Sequence, residues 1–240
     1  MKKLLIGAAS AFAMTGAANA AVLVTQDFDS VGNDVVVTNQ FPGLTISGFN
    51  EAGTVSRDVR TFDITGEPAV TQPEDDDLDE PLTFIGGNGG TTPDDNVLII
   101  QEPGSATPDD AADGGLFRII FDDVVTFLGF DAIDFTDGGS NLILELFQDD
   151  GDMVADFVLD FGADIGGNVG DNDFYSFGDA VIMAMGMPGI ENVIRADITL
   201  TGSGAIDNLR YEVIPVPGAA ILLLSGLAGL GWASRKRKTA

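Results

Sequence analysis

The chemistry available to this sequence rests on carboxylates. The chain has 240 residues, with 38 Asp and Glu residues, no histidine and no cysteine. On the last predicted strand, Ala205–Val213, Asp207 shares a face with Leu209 and Tyr211, a face expected to pack into a core. A buried carboxylate needs either a cation or several hydrogen-bond donors. Asp207 is therefore a candidate metal ligand or, alternatively, an acceptor of backbone N–H groups in a turn.

The missing residue types exclude several catalytic mechanisms. Without histidine and cysteine, neither a serine triad nor a cysteine–histidine pair can form. Residues 21–212 also lack lysine, which excludes Schiff-base and Ser–Lys chemistry. Paired carboxylates that hydrolyse glycosides remain available, but so many acids make any single pair uninformative. We therefore expect no enzymatic activity.

The charge of the chain is strongly asymmetric. All 38 acidic residues lie between residues 21 and 212. The basic residues of that region are Arg57, Arg60, Arg118, Arg195 and Arg210. Such an excess of negative charge repels nucleic acids and anionic lipids, so we expect no nucleic-acid partner. It suits divalent cations or a salt-rich exterior, and it equally gives solubility through like-charge repulsion.

Residues 1–20 have the layout of a secretory signal peptide. Lys2 and Lys3 precede an apolar run that ends at Met14, and small residues at Ala18 and Ala20 mark a cleavage site after Ala20. A membrane span is the less favoured alternative, because the apolar run is shorter than the roughly 20 residues that a span needs. The sequence thus divides into a signal peptide (1–20), an acidic domain (21–212) and a C-terminal segment (213–240).

The C-terminal segment combines prolines, an apolar run and basic residues. Pro215 and Pro217 precede the uncharged residues 218–233, which would be about 24 Å long as a helix, against a hydrocarbon core of about 30 Å. Trp232 lies where an interfacial aromatic residue is expected. The basic cluster that follows, which should remain cytoplasmic, consists of Arg235, Lys236, Arg237 and Lys238.

This arrangement resembles a PEP-CTERM-type sorting signal. Val213, Pro215 and Pro217, followed by the apolar run and the basic cluster, are similar to the variant whose signature begins Val-Pro-Leu-Pro-Ala. The Glu that separates the prolines in the commonest form is missing here. The resemblance implies that a membrane-embedded exosortase-like enzyme in a Gram-negative envelope recognises the tail and cleaves it near the prolines, so that membrane contact is transient. A permanent single-pass anchor is the alternative.

Between the two ends the hydrophobic pattern has a period of two. In residues 192–201, Ile194, Ala196 and Ile198 alternate with polar residues, which is typical of a half-buried strand. The other predicted strands are Val22–Asp27, Asp34–Gln40, Leu44–Phe49, Val59–Ile64, Asn96–Gln101, Leu116–Phe121, Val124–Ile133, Asn141–Gln148, Met153–Phe161 and Ala205–Val213. Many short strands between turns predict an all-β fold, an antiparallel β-sandwich of the jelly-roll kind, with a β-helix as the alternative.

The body has a further resemblance, to carbohydrate-binding jelly rolls. It rests on residues 26–30 and 37–48 near the start and 204–211 near the end. In such jelly rolls, acids on the first and last strands often share a structural calcium ion. The resemblance implies that Asp27, Asp29 and Asp207 form a calcium site here, completed by backbone carbonyl groups.

Other acidic segments are interpreted as turns and loops. Asp149–Asp152 predicts a hairpin turn in which Gly151 adopts an unusual backbone angle. The acidic loop at residues 65–96 is interpreted as solvated, with cation binding as the alternative. A calcium loop of the EF-hand type starting at Asp171 fails, because Ser176 and Ile182 replace its required Gly and Glu.

Together these features predict an exported, non-enzymatic cell-envelope or extracellular-matrix protein. It would contribute structurally to a surface rich in exopolysaccharide, such as a biofilm, through calcium bridging. The alternative is a specific calcium-dependent glycan-binding module. That alternative is weakened because sugars stack on exposed aromatic residues, and the acidic domain has only Tyr175 and Tyr211 besides phenylalanines.

Overall fold

The computed structural model describes residues 21–65, 78, 82–87, 92–93, 95–134, 141–148, 151–160, 173–177 and 190–213. Within these ranges there is no helix that could span a membrane. The strands of the described residues are β1 (Val22–Gln26), β2 (Val36–Val37), β3 (Leu44–Phe49), β4 (Ser56–Arg57), β5 (Val59–Asp63), β6 (Thr83–Gly87), β7 (Asn96–Ile100), β8 (Gly115–Ile133), β9 (Asn141–Phe147), β10 (Met153–Asp160), β11 (Asp173–Phe177), β12 (Ile190–Leu200) and β13 (Ala205–Val213).

The predicted all-β class is confirmed, and the sheet is largely antiparallel. Every predicted strand has a counterpart, and β3 and β13 have the predicted bounds. The predicted hairpin turn at Gly151 is also confirmed, since this glycine has a φ of 83° and joins the antiparallel pair β9 and β10. The sequence does not predict the short strand β4, the strand β6, which lies within the predicted loop at residues 65–96, or β11. Among the described strands, β6 and β11 form a parallel pair.

The long strand β8 organises the sheet. Two separate strands were predicted here, whereas Gly115–Ile133 is one strand with a bulge. One edge of β8 pairs with β12 and then β11, and the other edge pairs with β3 and then β13. A bulge increases local twist and bends a strand, so β8 can turn the sheet while its ladders continue on both sides.

Because of this bulge, the side chains at the start of β12 lie on other faces than the sequence pattern predicts. Arg195 pairs with Ile120, but Val193 pairs with Val125, so residues 121–124 stand opposite one residue, Ile194. The alternation shifts by one position at this point. Val193 is therefore fully buried, whereas Ile194, predicted to face the core, is half-buried.

The hydrogen-bonded order of the main path is β10-β9-β12-β8-β13-β7-β5-β2, and β1 pairs with β13. The sheet curls back on itself, because Ile100 on β7 packs against the backbone of Gly48 on β3 and of Gly115 on β8. A Cβ atom at Gly115 would lie 2.7 Å from the Ile100 side chain. These glycines allow the close approach of the strands.

Two apolar clusters lie on opposite faces of the central strands. The larger cluster includes Phe117, Phe127, Phe130 and Ile198, which are inaccessible to solvent. The smaller cluster consists of Phe62, Ile64, Leu78, Val97, Ile99, Ile133, Phe174 and Ala205. Polar residues next to the smaller cluster form the candidate site described below.

Candidate functional site

Two buried carboxylates face each other on the central strands. Asp207 on β13 is the register partner of Asp131 on β8, and their exposed fractions are 1% and 0%. Their neighbours in the ladder, Ala205 and Ile133, belong to the smaller apolar cluster. Because register partners in a sheet share a face, both carboxylates lie on the face of that cluster.

The prediction that Asp207 shares a face with Leu209 and Tyr211 is wrong, because β13 has a bulge at Asn208. Asn208 has a φ of 48°, in the left-handed region, and the register shifts between Asp207 and Arg210. The extra residue reverses the alternation, so that Leu209 and Tyr211 pack in the larger cluster, on the opposite face from Asp207. Asp207 is buried, as predicted, but not beside Leu209 and Tyr211.

Asp131 is held by a network of donors. Ser176 Oγ donates to Asp131 Oδ1 at 2.6 Å, and Arg210 Nη1 donates to the same oxygen at 3.0 Å. Arg210 Nη2 also donates to Ser176 Oγ at 3.1 Å and to the carbonyl oxygen of Phe130 at 3.2 Å. Burial raises the pKa of Asp131, while Arg210, Ser176 and Asn208 act in the opposite direction. Arg210 reaches from β13 to this buried carboxylate and so ties β13 to β8, and Asp131 Oδ2 is buried without a well-aligned partner among the described residues.

Asp207 has weaker support. Its Oδ2 accepts a hydrogen bond of 3.0 Å from Asn208 Nδ2, and its Oδ1 is buried without a well-aligned partner among the described residues. The pKa of Asp207 is raised to about 9, mainly by burial. A hydrogen bond from the Asn208 backbone lowers this pKa, whereas the negative charges of Asp131, Asp29 and Asp27 raise it further. In the absence of a cation, Asp207 is therefore protonated at neutral pH.

Asp27 and Asp29, the other two predicted calcium ligands, lie at the end of β1. Asp27 is exposed and Asp29 is half-buried, and Phe28 between them has a φ of 61° and is fully buried. Asp29 Oδ1 accepts the N–H of Asn96 at 2.9 Å. Both acids are close enough to Asp207 for their negative charges to raise its pKa.

The fit of this site to a metal is incomplete. Among the described residues, no three acidic side chains are placed to hold one ion. Asp207 offers a buried oxygen, but calcium requires six to eight oxygen ligands. The calcium site at Asp27, Asp29 and Asp207 stays a prediction.

A second buried acidic cluster was not predicted from the sequence. Ser203 Oγ donates to Asp110 Oδ2 at 2.7 Å and to Asp134 Oδ2 at 3.4 Å, and the N–H of Gly204 also donates to Asp110. The exposed fractions of Asp110 and Asp134 are 6% and 0%. Their sequence signals, a Thr-Pro-Asp-Asp turn and the end of a strand, gave no hint that these acids meet.

The outer face of β3, β8, β12 and β9 carries a third polar group. Asp197, predicted to be on the polar face, is 3% exposed and receives hydrogen bonds from Arg118 Nη2 at 2.7 Å and Nε at 3.0 Å. Hydrogen bonding to Asp197 raises the pKa of Arg118. The guanidinium of Arg118 stacks on Phe49, and that of Arg195 on Phe147 at 3.5 Å.

The predicted sorting motif is described only at its first residue. Val213 is the last residue of β13. The other predicted motif residues, Pro215, Pro217, Arg235, Lys236, Arg237 and Lys238, lie outside the described residues, as does the signal peptide.

Comparisons with known proteins give only distant likenesses. No family model and no curated protein matches the chain. An enzymatically active domain of tailspike protein 4 from bacteriophage CBA120 is 17% identical, with a TM-score of 0.34, over 76% of this chain and 21% of that one. A DUF4465 family protein from Bacteroides caccae is 9% identical, with a TM-score of 0.39, over 79% of this chain and 98% of that one. This chain thus spans about a fifth of the tailspike structure, and likenesses this distant carry no argument about function.

Proposed function

We propose that this chain is an exported cell-envelope or extracellular-matrix protein of a Gram-negative bacterium. A signal peptide directs export, and an exosortase-like enzyme processes the C-terminal segment. The acidic domain then contributes structurally, without enzymatic activity, to a surface associated with exopolysaccharide.

The observation that carries this proposal is the pairing of the first strand with the last. β1 and β13 are antiparallel, with Val22 opposite Val213, and residues 22–214 form one compact unit. The predicted signal cleavage after Ala20 and the prolines from Pro215 onward lie immediately outside this unit. Both flanking segments can therefore be removed without cutting a strand, which is what processing at both ends requires.

The buried polar groups favour a structural role. Asp131 and Asp197 are each engaged by an arginine on a neighbouring strand. Such pairs fix strand register and leave these carboxylates without the solvent access that a hydrolytic reaction needs. The acidic exterior supplies ligands for calcium bridges between the protein and its surroundings.

We propose a jelly-roll-like β-sandwich as the finer fold. The contact of β7 with β3 and β8 through Ile100 is the contact expected between two layers of a sandwich. The register of β8 shifts at a bulge, and bulges at which strands bend from one layer to the other are typical of such folds.

A specific glycan-binding module is the second candidate, favoured by one groove. A cavity of about 430 Å³ is lined by residues that include Arg57, Asp58, Gln101, Glu102 and Ser105. Charged and amide side chains of this kind can hydrogen-bond sugar hydroxyl groups. The Arg57 guanidinium already makes two hydrogen bonds to Asp113, so its remaining capacity is limited.

Replacement of the prolines tests the sorting proposal. We expect Pro215→Ala combined with Pro217→Ala to leave an uncleaved chain in the inner-membrane fraction, whereas Val216→Ala, a change of similar size between them, is processed. Equal processing of both variants would contradict recognition through the prolines.

Co-sedimentation separates the two candidate roles. The mature protein is spun with exopolysaccharide from its own host, with calcium and then with chelator. A structural protein is expected to bind weakly and without competition by defined oligosaccharides. Saturable binding that defined oligosaccharides compete away, and that Asp58→Asn weakens while Glu51→Gln outside the groove does not, would replace the structural role with glycan recognition.

A further inference from the structure

Four exposed apolar residues lie in one band across the outer face of the sheet. Among the described residues, seven large apolar side chains are well exposed. The four in the band, with their exposed fractions, are Leu23 (61%), Ile120 (42%), Val124 (39%) and Met153 (48%). Clustered exposed apolar side chains mark an interaction surface, and in so acidic a domain they are conspicuous.

Strand register defines the first half of this apolar band. Met153 on β10 is opposite Phe147 on β9, which is opposite Arg195 on β12, which is opposite Ile120 on β8. These four residues form one continuous row across four strands. The row also contains the cation–π pair of Arg195 and Phe147, a guanidinium on an aromatic ring, which suits the boundary between apolar and polar surroundings.

The second half of the apolar band lies at the C-terminal end of β13, where the C-terminal segment begins. Val124 follows the β8 bulge and shares a face with Thr126, two residues further along β8. Thr126 is opposite Glu212, the residue before Val213, and Glu212 is opposite Leu23. Val213 is the last residue of β13. The apolar band therefore reaches the point from which the prolines and the apolar run of the C-terminal segment continue.

We propose that the apolar band contacts the headgroup layer of the membrane while the C-terminal segment is inserted. This inference rests on the proposed function, because it requires an inserted tail. From Val213 to Gly218, where the apolar run starts, there are five residues, about 16 Å at the 3.1 Å per residue of a proline-rich extended chain. A tether this short holds the band at a high effective concentration beside the lipid.

The charged residues beside the band determine how deeply it enters the bilayer and which lipid headgroups it contacts. Asp122 and Asp123 are exposed within the bulge between Ile120 and Val124. Charged groups are expensive in hydrocarbon, so the band reaches the headgroup layer and not the acyl chains. Zwitterionic phosphatidylcholine is the lipid expected to show the contact, because anionic lipid repels these carboxylates.

Tryptophan fluorescence tests this proposal in the full chain, reconstituted in phosphatidylcholine vesicles. Trp232 is the one native tryptophan and reports insertion of the tail through quenching by lipids with brominated acyl chains. In a Trp232→Phe background, Ile120→Trp and Leu23→Trp each place a probe in the band. Val55→Trp is the matched control: Val55 is 59% exposed and precedes β4, which pairs with the far end of β3.

We expect a headgroup-labelled nitroxide lipid to quench the Ile120→Trp and Leu23→Trp probes at least twofold more than the Val55→Trp probe. Two band positions are used so that one misfolded variant does not decide the result. If Trp232 is quenched by brominated lipid but the band probes are quenched no more than the control, the band proposal is wrong and the tail proposal stands. If Trp232 is not quenched and the chain does not float with the vesicles, the inserted tail is itself wrong.

Discussion

Replacing Asp207 by Asn should stabilise the domain at neutral pH. The Asp207 carboxyl group is 1% exposed, and its pKa rises from 3.8 to about 9, chiefly through burial. Between these two values the folded chain holds a proton that the unfolded chain has released. Stability is therefore complete below about pH 4, falls as the pH rises, and levels off above about pH 9.

The size of the effect follows from the shift. Each pH unit above 3.8 lowers the free energy of unfolding by about 1.4 kcal/mol, so at pH 7 the upper bound is about 4 kcal/mol. Asn has the shape of the protonated acid and does not ionise. We expect Asp207→Asn to be more stable than the native chain by about 2–4 kcal/mol at pH 7 and nearly equal to it at pH 4.

Urea unfolding in chelator at pH 4, 5.5, 7 and 8.5 measures this difference. Asp123→Asn is the matched control, because Asp123 is exposed and its replacement should change stability by less than about 0.5 kcal/mol at each pH. A variant destabilised by the same amount at every pH would refute the reasoning, since Asp207 would then be ionised in the folded domain.

Three further predictions address calcium, an ion pair and close packing. If Asp27, Asp29 and Asp207 bind calcium, calcium at a hundred times its Kd should raise the free energy of unfolding of the native chain by about 2.7 kcal/mol. The stability of Asp207→Asn should not change with calcium. Equal shifts of the melting temperature in both proteins would exclude this site. Arg210→Met removes the partner of buried Asp131 and should lower the free energy of unfolding by about 3–5 kcal/mol, with part of the loss recovered by adding Asp131→Asn, as denaturant titrations of the two variants would reveal. Gly114 has a φ of 74°, and a Cβ atom there would lie 2.2 Å from the Leu200 carbonyl oxygen, whereas a Cβ atom at Gly32 would have nothing within 4 Å. Gly114→Ala should therefore lower the free energy of unfolding by about 3 kcal/mol, and Gly32→Ala by less than about 0.5 kcal/mol. Similar thermal melts of the two variants would contradict the close packing of Gly114 against β12.

The strands could be predicted from the sequence because their periodicity is local. Leu44–Phe49 alternates cleanly, and Ala205–Val213 is rich in apolar residues on both sides of its bulge; both strands have the predicted bounds. β6 and β11 were missed because they are short and their surroundings are rich in Gly, Asp and Pro, which are typical of loops. The bulge within β8 could not be predicted, since exposed Asp122 and Asp123 look like a turn between two strands.

The candidate site was predicted only in part. Burial of Asp207 followed from its strand, but its face did not, because the left-handed conformation of Asn208 leaves only a weak signal in a sequence. Its pairing with Asp131, and the contact of Asp110 with Ser203, join residues far apart in the chain. No local pattern encodes such meetings, which depend on the topology of the sheet.

The intact mass of the chain isolated from the cell surface tests the central claim most directly. Processing at both ends predicts a mature chain that begins at Ala21 and ends close to Pro215–Pro217. A surface chain that retains Arg235 to Lys238, or a chain found only in the cytoplasm with residues 1–20 intact, would contradict the proposed export and sorting.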